Sequence, residues 1–389
     1  MGKIMFKAAR VLQVAAILAL LAGCASSRTA ETASATPTQG SASVAGGIAG
    51  SAPPAVSRPP RPDLPNGFLA PGGILTAEAQ SFAREVAQAR GVPLQHVEEL
   101  LRQAQYNATV ARLMSPTTTR VRRSWVTYRQ RFVEPIRIKA GTRFWQEQRA
   151  ALDEAYRQYG VPPAIIVAII GVETIYGRQT GNFRILDSLA TLAFRYPDPS
   201  RPERSQLFRD QLADLIQLDN RNELDAATAT GSYAGALGLP QFMPGSLLRF
   251  ALDGDHDGHV DLLNSPGDAI LSVANFLRQH GWQPGLPVFA PVTLPSNAAS
   301  LVKGGLEPTY TWDELKREGA TASAPANANW SQGRLGIVNL VDEPRNTVEY
   351  RTGTANFFAI THYNRSYFYA ASVADLAQAL AAQAGQPAP

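Results

Sequence analysis

An unbroken apolar run lies near the middle of the chain, Ile165-Ile166-Val167-Ala168-Ile169-Ile170, and it ends in Gly171-Val172-Glu173-Thr174. Pro162-Pro163 precede this run and favour the start of a helix, so the sequence predicts a buried helix from Pro163 to about Glu173. Glu173 then stands at the end of a segment built for burial. A carboxyl held against apolar surface resists ionisation, because desolvation disfavours its charged form. Such a group can keep its proton near neutral pH and transfer it to a leaving group.

The N-terminus has the pattern of a bacterial export signal. Basic residues precede a short apolar segment, Val11 to Leu21, which is too short for a permanent transmembrane helix. The segment ends in Leu21-Ala22-Gly23-Cys24, which resembles the lipobox of lipoprotein signals, with Cys24 as the lipidated residue. Cys24 is the only cysteine of the chain, so no disulfide explains it. We predict a lipoprotein signal peptide over 1–24; an ordinary signal with an incidental cysteine is the alternative.

The segment after the signal has the composition of a disordered tether. Residues 25–70 are rich in Ala, Ser, Thr, Pro and Gly and poor in large apolar side chains, so they cannot offset the entropy of ordering. Ala25 follows the cysteine in place of an aspartate. By resemblance to lipoprotein sorting, this predicts attachment to the periplasmic face of the outer membrane.

The charge of the chain does not indicate a nucleic-acid partner. The formal net charge is +4 at pH 7, but Lys3, Lys7 and Arg10 belong to the predicted signal, which leaves the mature chain close to neutral.

Helical patterns dominate the chain from Thr76 to Trp282, and short extended runs rich in Val and Thr follow. The fold class predicted is therefore α+β, mainly helical. We expect a helical core over 71–285 and a mixed α/β part over 286–389. The predicted helices run from Thr76 to Arg90, Pro93 to Gln105, Phe144 to Tyr159, Pro163 to Glu173, Ser188 to Phe194, Arg204 to Leu218 and Ser372 to Ala382.

The segment 253–268 begins like an EF-hand loop. Asp253, Asp255 and Asp257 occupy positions 1, 3 and 5, Gly258 stands at the turn, and the carbonyl of His259 holds the position of a backbone ligand. Alternating carboxylates of this kind converge on a hard cation, so we predict calcium in a structural role and no organic cofactor. A plain acidic turn is the alternative.

The end of this loop departs from the EF-hand pattern. Position 12 is Asn264 and not the usual glutamate, and Asp268, four residues further on, could complete the ligands. Asp268 also stands three residues after Ser265, which is the spacing of a helix N-cap and its N3 residue. Both roles for Asp268 stay open.

Four ordered motifs together resemble the membrane-bound lytic murein transglycosylase B family, over roughly Leu75 to Ala382. Two of them are the calcium-like loop and the segment from Gly160-Val161-Pro162-Pro163 to Gly171-Val172-Glu173-Thr174. The others are Ser232-Tyr233-Ala234-Gly235-Ala236-Leu237-Gly238-Leu239-Pro240-Gln241-Phe242-Met243-Pro244 and Thr361-His362-Tyr363-Asn364-Arg365-Ser366.

The resemblance implies a lysozyme-like helical core with an EF-hand-like insertion, and a C-terminal part that completes the substrate groove. It implies cleavage of the bond between N-acetylmuramic acid and N-acetylglucosamine in peptidoglycan without water, which leaves a 1,6-anhydro ring. Glu173 is then the one catalytic carboxyl, first acid and then base. The implied partners are glycan strands and the outer membrane, for a monomer that can join cell-wall synthase complexes.

The same resemblance implies the residues that line the sugar groove, and it leaves several alternatives. Tyr128 could equally be a core aromatic, and Arg204 is the best match to arginines that would bind carboxylates of the substrate. Asp187 is expected to be a helix N-cap and not a second catalytic acid. A hydrolytic muramidase and a non-catalytic, calcium-stabilised peptidoglycan-binding lipoprotein are the rival functions. The implied groove residues are Ser232, Gln241, Tyr128, Tyr363, Asn364, Tyr369 and Arg204.

Overall fold

The computed structural model describes residues 67–117, 120–324, 328–387 and 389. The predicted signal with Cys24, and the predicted tether up to residue 66, lie outside the described residues. The last part of that predicted tether is described: Leu69–Ala70 pairs with Ile74–Leu75, and Phe68 is buried. Within the described ranges, no helix combines the length and the apolar character that crossing a membrane would require.

Fourteen α-helices make up about half of the described chain and the strands are few and short, which confirms the prediction of a mainly helical α+β fold. They are α1 (Ala77–Arg90), α2 (Leu94–Gln103), α3 (Ala108–Met114), α4 (Trp125–Phe132), α5 (Pro135–Glu147), α6 (Arg149–Tyr159), α7 (Pro163–Thr174), α8 (Ile185–Phe194), α9 (Pro202–Asn220), α10 (Pro244–Phe250), α11 (Pro266–Gln279), α12 (Trp312–Arg317), α13 (Ala355–Tyr363) and α14 (Tyr367–Gln383).

The strands form four separate antiparallel pairs and no larger sheet within the described ranges. The longest pair has seven residues on each side, from Gly336 opposite Gly353 to Asp342 opposite Thr347. The pairs are β1 (Leu69–Ala70) with β2 (Ile74–Leu75), β3 (Phe183–Arg184) with β4 (Thr230–Gly231), β5 (Val292–Thr293) with β6 (Thr321–Ala322), and β7 (Gly336–Asp342) with β8 (Thr347–Gly353).

Helix α7 is buried, as the apolar run predicts, and other helices pack around it. Ile165, Ile166, Ile169 and Ile170 are completely buried, and each such side chain contributes about 1.5–3 kcal/mol through removal from water. Helices α5, α6, α11 and α14 pack around α7. A helix buried on all sides holds its last turn in a fixed place, and that last turn carries Glu173.

The prediction of one helix from Phe144 to Tyr159 is wrong, because the chain breaks at Gln148 into α5 and α6. Gln148 leaves the helical conformation at φ −106° and ψ 21°. Phe144 and Leu152, on either side of the break, both face the core. The apolar spacing therefore continues across the break, and periodicity alone could not detect it.

The chain after Trp282 forms a small second core and then returns to the main one. Trp312 and Trp330 meet edge to face at 5.1 Å between ring centroids and lie at the centre of the small core. Strand β7, α13 and α14 contribute to the main core, and α14 packs directly against α7. Helix α14 thus brings residues far along the chain next to Glu173.

Candidate active site

Helix α7 ends abruptly after Glu173. Ile175, Tyr176 and Gly177 all have left-handed backbone conformations, with φ of 51°, 57° and 83°. This conformation is strained for a β-branched residue such as Ile175, and it persists only where the surroundings hold it. The chain therefore turns away immediately after Thr174 and leaves the Glu173 side chain at the exposed end of a buried helix.

The Glu173 carboxyl is poised between its two protonation states. The side chain is partly exposed, but desolvation by the surrounding protein raises its pKa from the ordinary value to about 7. The Tyr369 hydroxyl donates a hydrogen bond to Glu173 Oε1 at 2.6 Å and acts in the opposite direction, because it favours the ionised form. At neutral pH this carboxyl can both give up and accept a proton. The sequence predicts the first ability for a buried acid, and the family resemblance implies the second.

Three tyrosines surround this carboxyl, and all three were predicted as groove residues. The rings of Tyr363 and Tyr369 lie nearly parallel, with centroids 6.3 Å apart. Burial raises the pKa of Tyr128, Tyr363 and Tyr369, and the negative charge of Glu173 raises each of them further. The structure therefore brings the three phenols together around one acid. Tyr128 also packs against Phe132 and Phe368, so it has the core contacts of the alternative interpretation as well.

Asn364 follows α13 directly and offers an unsatisfied donor. The residue is 5% exposed, and its Nδ2 atom is buried without a hydrogen-bond partner among the described residues. An unpaired buried polar group costs about 1–3 kcal/mol. A ligand that presents a carbonyl oxygen here, such as the acetamido group that the resemblance implies, would remove that cost.

Ser232 and Gln241 hold the loop that faces the end of α7. The Ser232 Oγ accepts a hydrogen bond from the Ala236 amide at 2.9 Å. Gln241 has a left-handed backbone at φ 53°, and its Nε2 donates to the carbonyl of Thr180 at 3.1 Å. Both side chains fix the backbone of this loop, and their contact with substrate stays a prediction.

Arg204 stands on a helix that carries none of these residues. It lies in the first turn of α9, is 7% exposed, and has its Nε buried without a hydrogen-bond partner in the described part of the chain. Its positive charge acts on Tyr196, whose pKa is raised by burial and lowered by this arginine. Among the described residues, no hydrogen bond or ion pair joins Arg204 to Glu173 or to the three tyrosines.

The expectation that Asp187 is a helix N-cap is wrong. Helix α8 begins earlier, at Ile185, so Asp187 lies inside its first turn. Its Oδ1 accepts from the Gln105 amide at 2.8 Å and from Arg184 Nη2 at 2.7 Å. Asp187 therefore ties the first turn of α8 to the segment that follows α2, and both of these bonds are structural.

Arg137 is a residue at the site that sequence reasoning missed. Its side chain is 8% exposed, and its Nε donates to the carbonyl of Gly171, in the last turn of α7, at 2.8 Å. Its Nη1 donates to the carbonyl of Arg131, at the end of α4, which carries Tyr128. One guanidinium thus joins the helix of Tyr128 to the helix of Glu173. No local pattern in the sequence marks this arginine.

The acidic loop before α11 brings three of its predicted ligands together. Carboxylate oxygens of Asp253, Asp255 and Asp268 lie within 4.8 Å of one another. Asp268 is 1% exposed and accepts from the Gly254 amide at 2.8 Å and the Asp261 amide at 2.6 Å. Three hard oxygen ligands of this kind fit a divalent cation such as calcium.

The remaining predicted ligands are arranged differently. Asp257 lies outside the three-carboxylate group and pairs with the ring Nδ1 of His259 at 2.8 Å. The amide of Asp268 donates to Ser265 Oγ at 3.2 Å, so Asp268 also stands at the predicted position behind the N-cap of α11. Asp268 therefore combines both predicted positions, within the acidic group and in the first turn of the helix.

The family model and the similar proteins found by comparison are all transglycosylases. The model of the transglycosylase SLT domain matches residues 75–378. The membrane-bound lytic murein transglycosylase B of Escherichia coli K12 is 37% identical over 311 residues, which cover 78% of this chain and 82% of that protein. The soluble lytic transglycosylase SltB1 of Pseudomonas aeruginosa has a TM-score of 0.71 at 36% identity, covering 79% of this chain and 99% of that one. Escherichia coli Slt35, solved in complex with calcium, has a TM-score of 0.69 at 35% identity, with 84% and 99% covered.

Proposed function

This chain belongs to the transglycosylase SLT domain family and is a lytic transglycosylase of peptidoglycan, and we propose that Glu173 is its single catalytic acid and base. The observation that carries the proposal is the position of this carboxyl, at the end of a buried helix and bonded by Tyr369, where desolvation raises its pKa to about 7. A group with this pKa is populated in both protonation states near neutral pH, which is what consecutive acid and base steps require.

The reaction runs in two proton transfers. Neutral Glu173 donates its proton to the glycosidic oxygen between N-acetylmuramic acid and N-acetylglucosamine, and the bond to C1 of the muramyl residue breaks. The acetamido group of the substrate supports the positive centre that forms. Ionised Glu173, which accepts the hydrogen bond of Tyr369, then takes the proton of the muramyl 6-hydroxyl as that oxygen bonds to C1. The 1,6-anhydro ring closes, Glu173 is neutral again, and no water is consumed.

The surroundings of Glu173 favour this scheme over hydrolysis by a pair of acids. Most glycosidases place two carboxyl groups across the scissile bond. Within the described residues, Glu173 is the one carboxylate whose charge acts on the pKa of Tyr128, Tyr363 and Tyr369. We call these three tyrosines the tyrosine wall. Because one described carboxylate, and no second, acts on this wall, the site supports a mechanism in which the substrate supplies its own nucleophile.

Mass analysis of the products tests this function directly. Purified sacculi digested with the protein are expected to yield muropeptides that end in 1,6-anhydro-muramic acid, each lighter by one water than the hydrolytic product. Products with reducing muramic acid ends would show a hydrolytic muramidase instead. Binding to sacculi without release of any muropeptide would favour the non-catalytic lipoprotein.

We further propose that calcium stabilises the protein through Asp253, Asp255 and Asp268. The carboxylate of Asp257 and the carbonyl of His259 are the other ligands that the loop pattern predicts. At 10 mM calcium, an affinity typical of extracellular sites, about 10⁻⁴ to 10⁻³ M, corresponds to about 1.4–2.7 kcal/mol of stabilisation. The calcium complex of Slt35 supports the same metal here.

Thermal unfolding with calcium and with a chelator tests this site. We expect a higher melting temperature in calcium, and loss of that difference in Asp255→Asn. Asp313→Asn is the matched control, because Asp313 is an exposed acid in α12, outside the loop. Equal melting temperatures for the wild-type protein in calcium and in chelator would contradict calcium binding at this loop.

The location that we propose is the periplasmic face of the outer membrane, through lipid on Cys24. The lipobox pattern and the tether composition support it, and the relative from Escherichia coli is named as membrane-bound. Cys24→Ala should move the protein from the membrane fraction to the soluble periplasmic fraction, and an unchanged fractionation would contradict the anchor. Association of a monomer with cell-wall synthases stays a prediction.

A further inference from the structure

The hydroxyl of Thr174, next to Glu173 in the chain, is completely buried and makes two hydrogen bonds beyond its own helix. Thr174 Oγ1 donates to the carbonyl of Leu239 at 2.9 Å and accepts from the amide of Gly177 at 3.0 Å. The carbonyl of Ile170 is a more distant acceptor at 3.3 Å. Because a hydroxyl has one hydrogen, the shorter contact takes it, and the bond to Leu239 is the principal one.

The bond from Gly177 closes the turn that ends α7. That turn contains Ile175 and Tyr176 in left-handed conformations, which the surrounding structure has to hold in place. The Thr174 hydroxyl receives the amide at the far side of the turn, and the Thr174 carbonyl receives the Gln179 amide at 2.9 Å. Loss of the hydroxyl would leave the Gly177 amide without this acceptor and weaken the turn that holds the last residues of α7.

The bond to Leu239 joins the end of α7 to a point that is itself fixed. The Leu239 amide donates to the carbonyl of Leu262 at 2.9 Å, and a Cβ on Gly238 would lie only 2.1 Å from that same carbonyl oxygen. The next carbonyl, of Pro240, accepts from the Tyr363 hydroxyl. The backbone at Leu239 and Pro240 is thus bonded both to Leu262 and to Tyr363. Because Thr174 bonds the end of α7 to Leu239, that helix end cannot shift independently of Tyr363.

We propose that Thr174 is a positioning residue for the Glu173 carboxyl. Its hydroxyl bonds the end of α7 to the carbonyl of Leu239. The hydroxyl of Tyr369, on α14, bonds the Glu173 carboxyl itself. The direction of the carboxyl then depends on a group that never touches the substrate. This inference rests on the proposed catalytic role of Glu173.

The test compares Thr174→Val, which removes the hydroxyl at nearly constant shape, with Thr174→Ser, which keeps the hydroxyl and removes the methyl group. Misplacement of a catalytic group by about 1 Å can lower a rate about 100-fold, so we expect kcat of Thr174→Val to fall by about 10- to 100-fold with KM little changed. Thr174→Ser should retain most of the wild-type kcat.

Thr191→Val is the matched control. Thr191 is also completely buried, and its Oγ1 also accepts a backbone amide, that of Asn107 at 2.9 Å, but it lies in α8. We expect this variant to lose melting temperature and to keep its kcat. If Thr174→Val does not fold, Thr174→Ala takes its place in the comparison.

Two results would overturn the inference. The first is a Thr174→Val enzyme that keeps the kcat of the Thr191→Val control, which would leave the hydroxyl a purely structural role. The second is an equal loss of kcat in Thr174→Ser and Thr174→Val, which would assign the effect to the methyl group. Glu173→Gln in the same assay separates the two proposals: if it retains turnover, the proposed function fails as well, and if it is inactive while Thr174→Val is fully active, only this inference fails.

Discussion

Glu173→Gln is expected to lower kcat on purified sacculi by on the order of 10⁴-fold, because in the proposed mechanism one carboxyl performs both proton transfers and each typically contributes about 10²–10⁴. Glutamine keeps the shape of the side chain and can still accept the hydrogen bond from Tyr369. It cannot give up or take the proton. Turnover, measured as soluble muropeptide released per unit time, should therefore fall while binding to sacculi persists.

The same variant should be no less stable than the wild-type protein at alkaline pH. The folded protein raises the pKa of Glu173 above its ordinary value to about 7, so folding favours the neutral acid. That contribution to the free energy of unfolding is complete below the unfolded pKa and is lost as the pH rises through about 7. Glutamine is neutral throughout and does not lose it. Melting temperatures at acidic and at alkaline pH measure this difference.

Glu147→Gln is the control for both measurements. Glu147 lies at the end of α5, its side chain is 49% exposed, and it pairs with Arg143 on the same surface. An exposed pair of this kind contributes little, so activity and its pH dependence should stay unchanged. Full activity of Glu173→Gln, or an equal loss of activity in both variants, would contradict the assignment of the catalytic acid.

Tyr369→Phe is expected to shift the pH dependence of the reaction. The Tyr369 hydroxyl lowers the pKa of Glu173 by donating to its ionised form, so its removal should raise that pKa above about 7. The alkaline limb of kcat/KM, on which the acid loses its proton, then moves to higher pH. We also expect kcat to fall by about 10- to 100-fold, because the ionised intermediate state loses a donor in a desolvated site.

Tyr367→Phe provides the comparison, since it removes a tyrosine hydroxyl from the same helix. That hydroxyl donates to the carbonyl of Gly305 and not to Glu173. The Tyr367 variant should keep the wild-type pH profile. An alkaline limb that stays in place in Tyr369→Phe, or that moves to lower pH, would show that the Tyr369 hydrogen bond does not govern the ionisation of Glu173.

The parts of the fold that the sequence predicts are those with strong local signals. Helix α1 begins after Thr76, whose hydroxyl caps the Ala79 amide, and ends at Gly91 in a left-handed conformation, as the residue types indicate. The apolar run predicts the buried helix α7, and Glu173 at its end follows from the same run. Apolar periodicity cannot detect the break at Gln148, because the apolar spacing continues across it.

The parts that could not be predicted depend on contacts between distant residues. Family resemblance predicts Tyr369 as a groove residue, but its hydrogen bond to Glu173 joins residues 196 positions apart, which no local pattern reveals. In the sequence Arg137 resembles any basic residue of an amphipathic helix, and only tertiary packing buries it against α7. In the sequence Thr174 is only a polar residue at the end of an apolar run, and its hydrogen bond to the Leu239 carbonyl is known only from the structure. The proposed catalytic acid can therefore be chosen from a local pattern, whereas the side chains that position it cannot.

We expect Glu173 to carry a pKa far above that of an ordinary glutamate. Infrared difference spectroscopy of the carboxyl band, wild-type minus Glu173→Gln, measures this pKa in the free protein from acidic to mildly alkaline pH. The predicted result is one carboxyl that titrates at about 7. Titration near 4.3, the value of an exposed glutamate in water, would contradict it, because Glu173 would then be ionised before any substrate arrived.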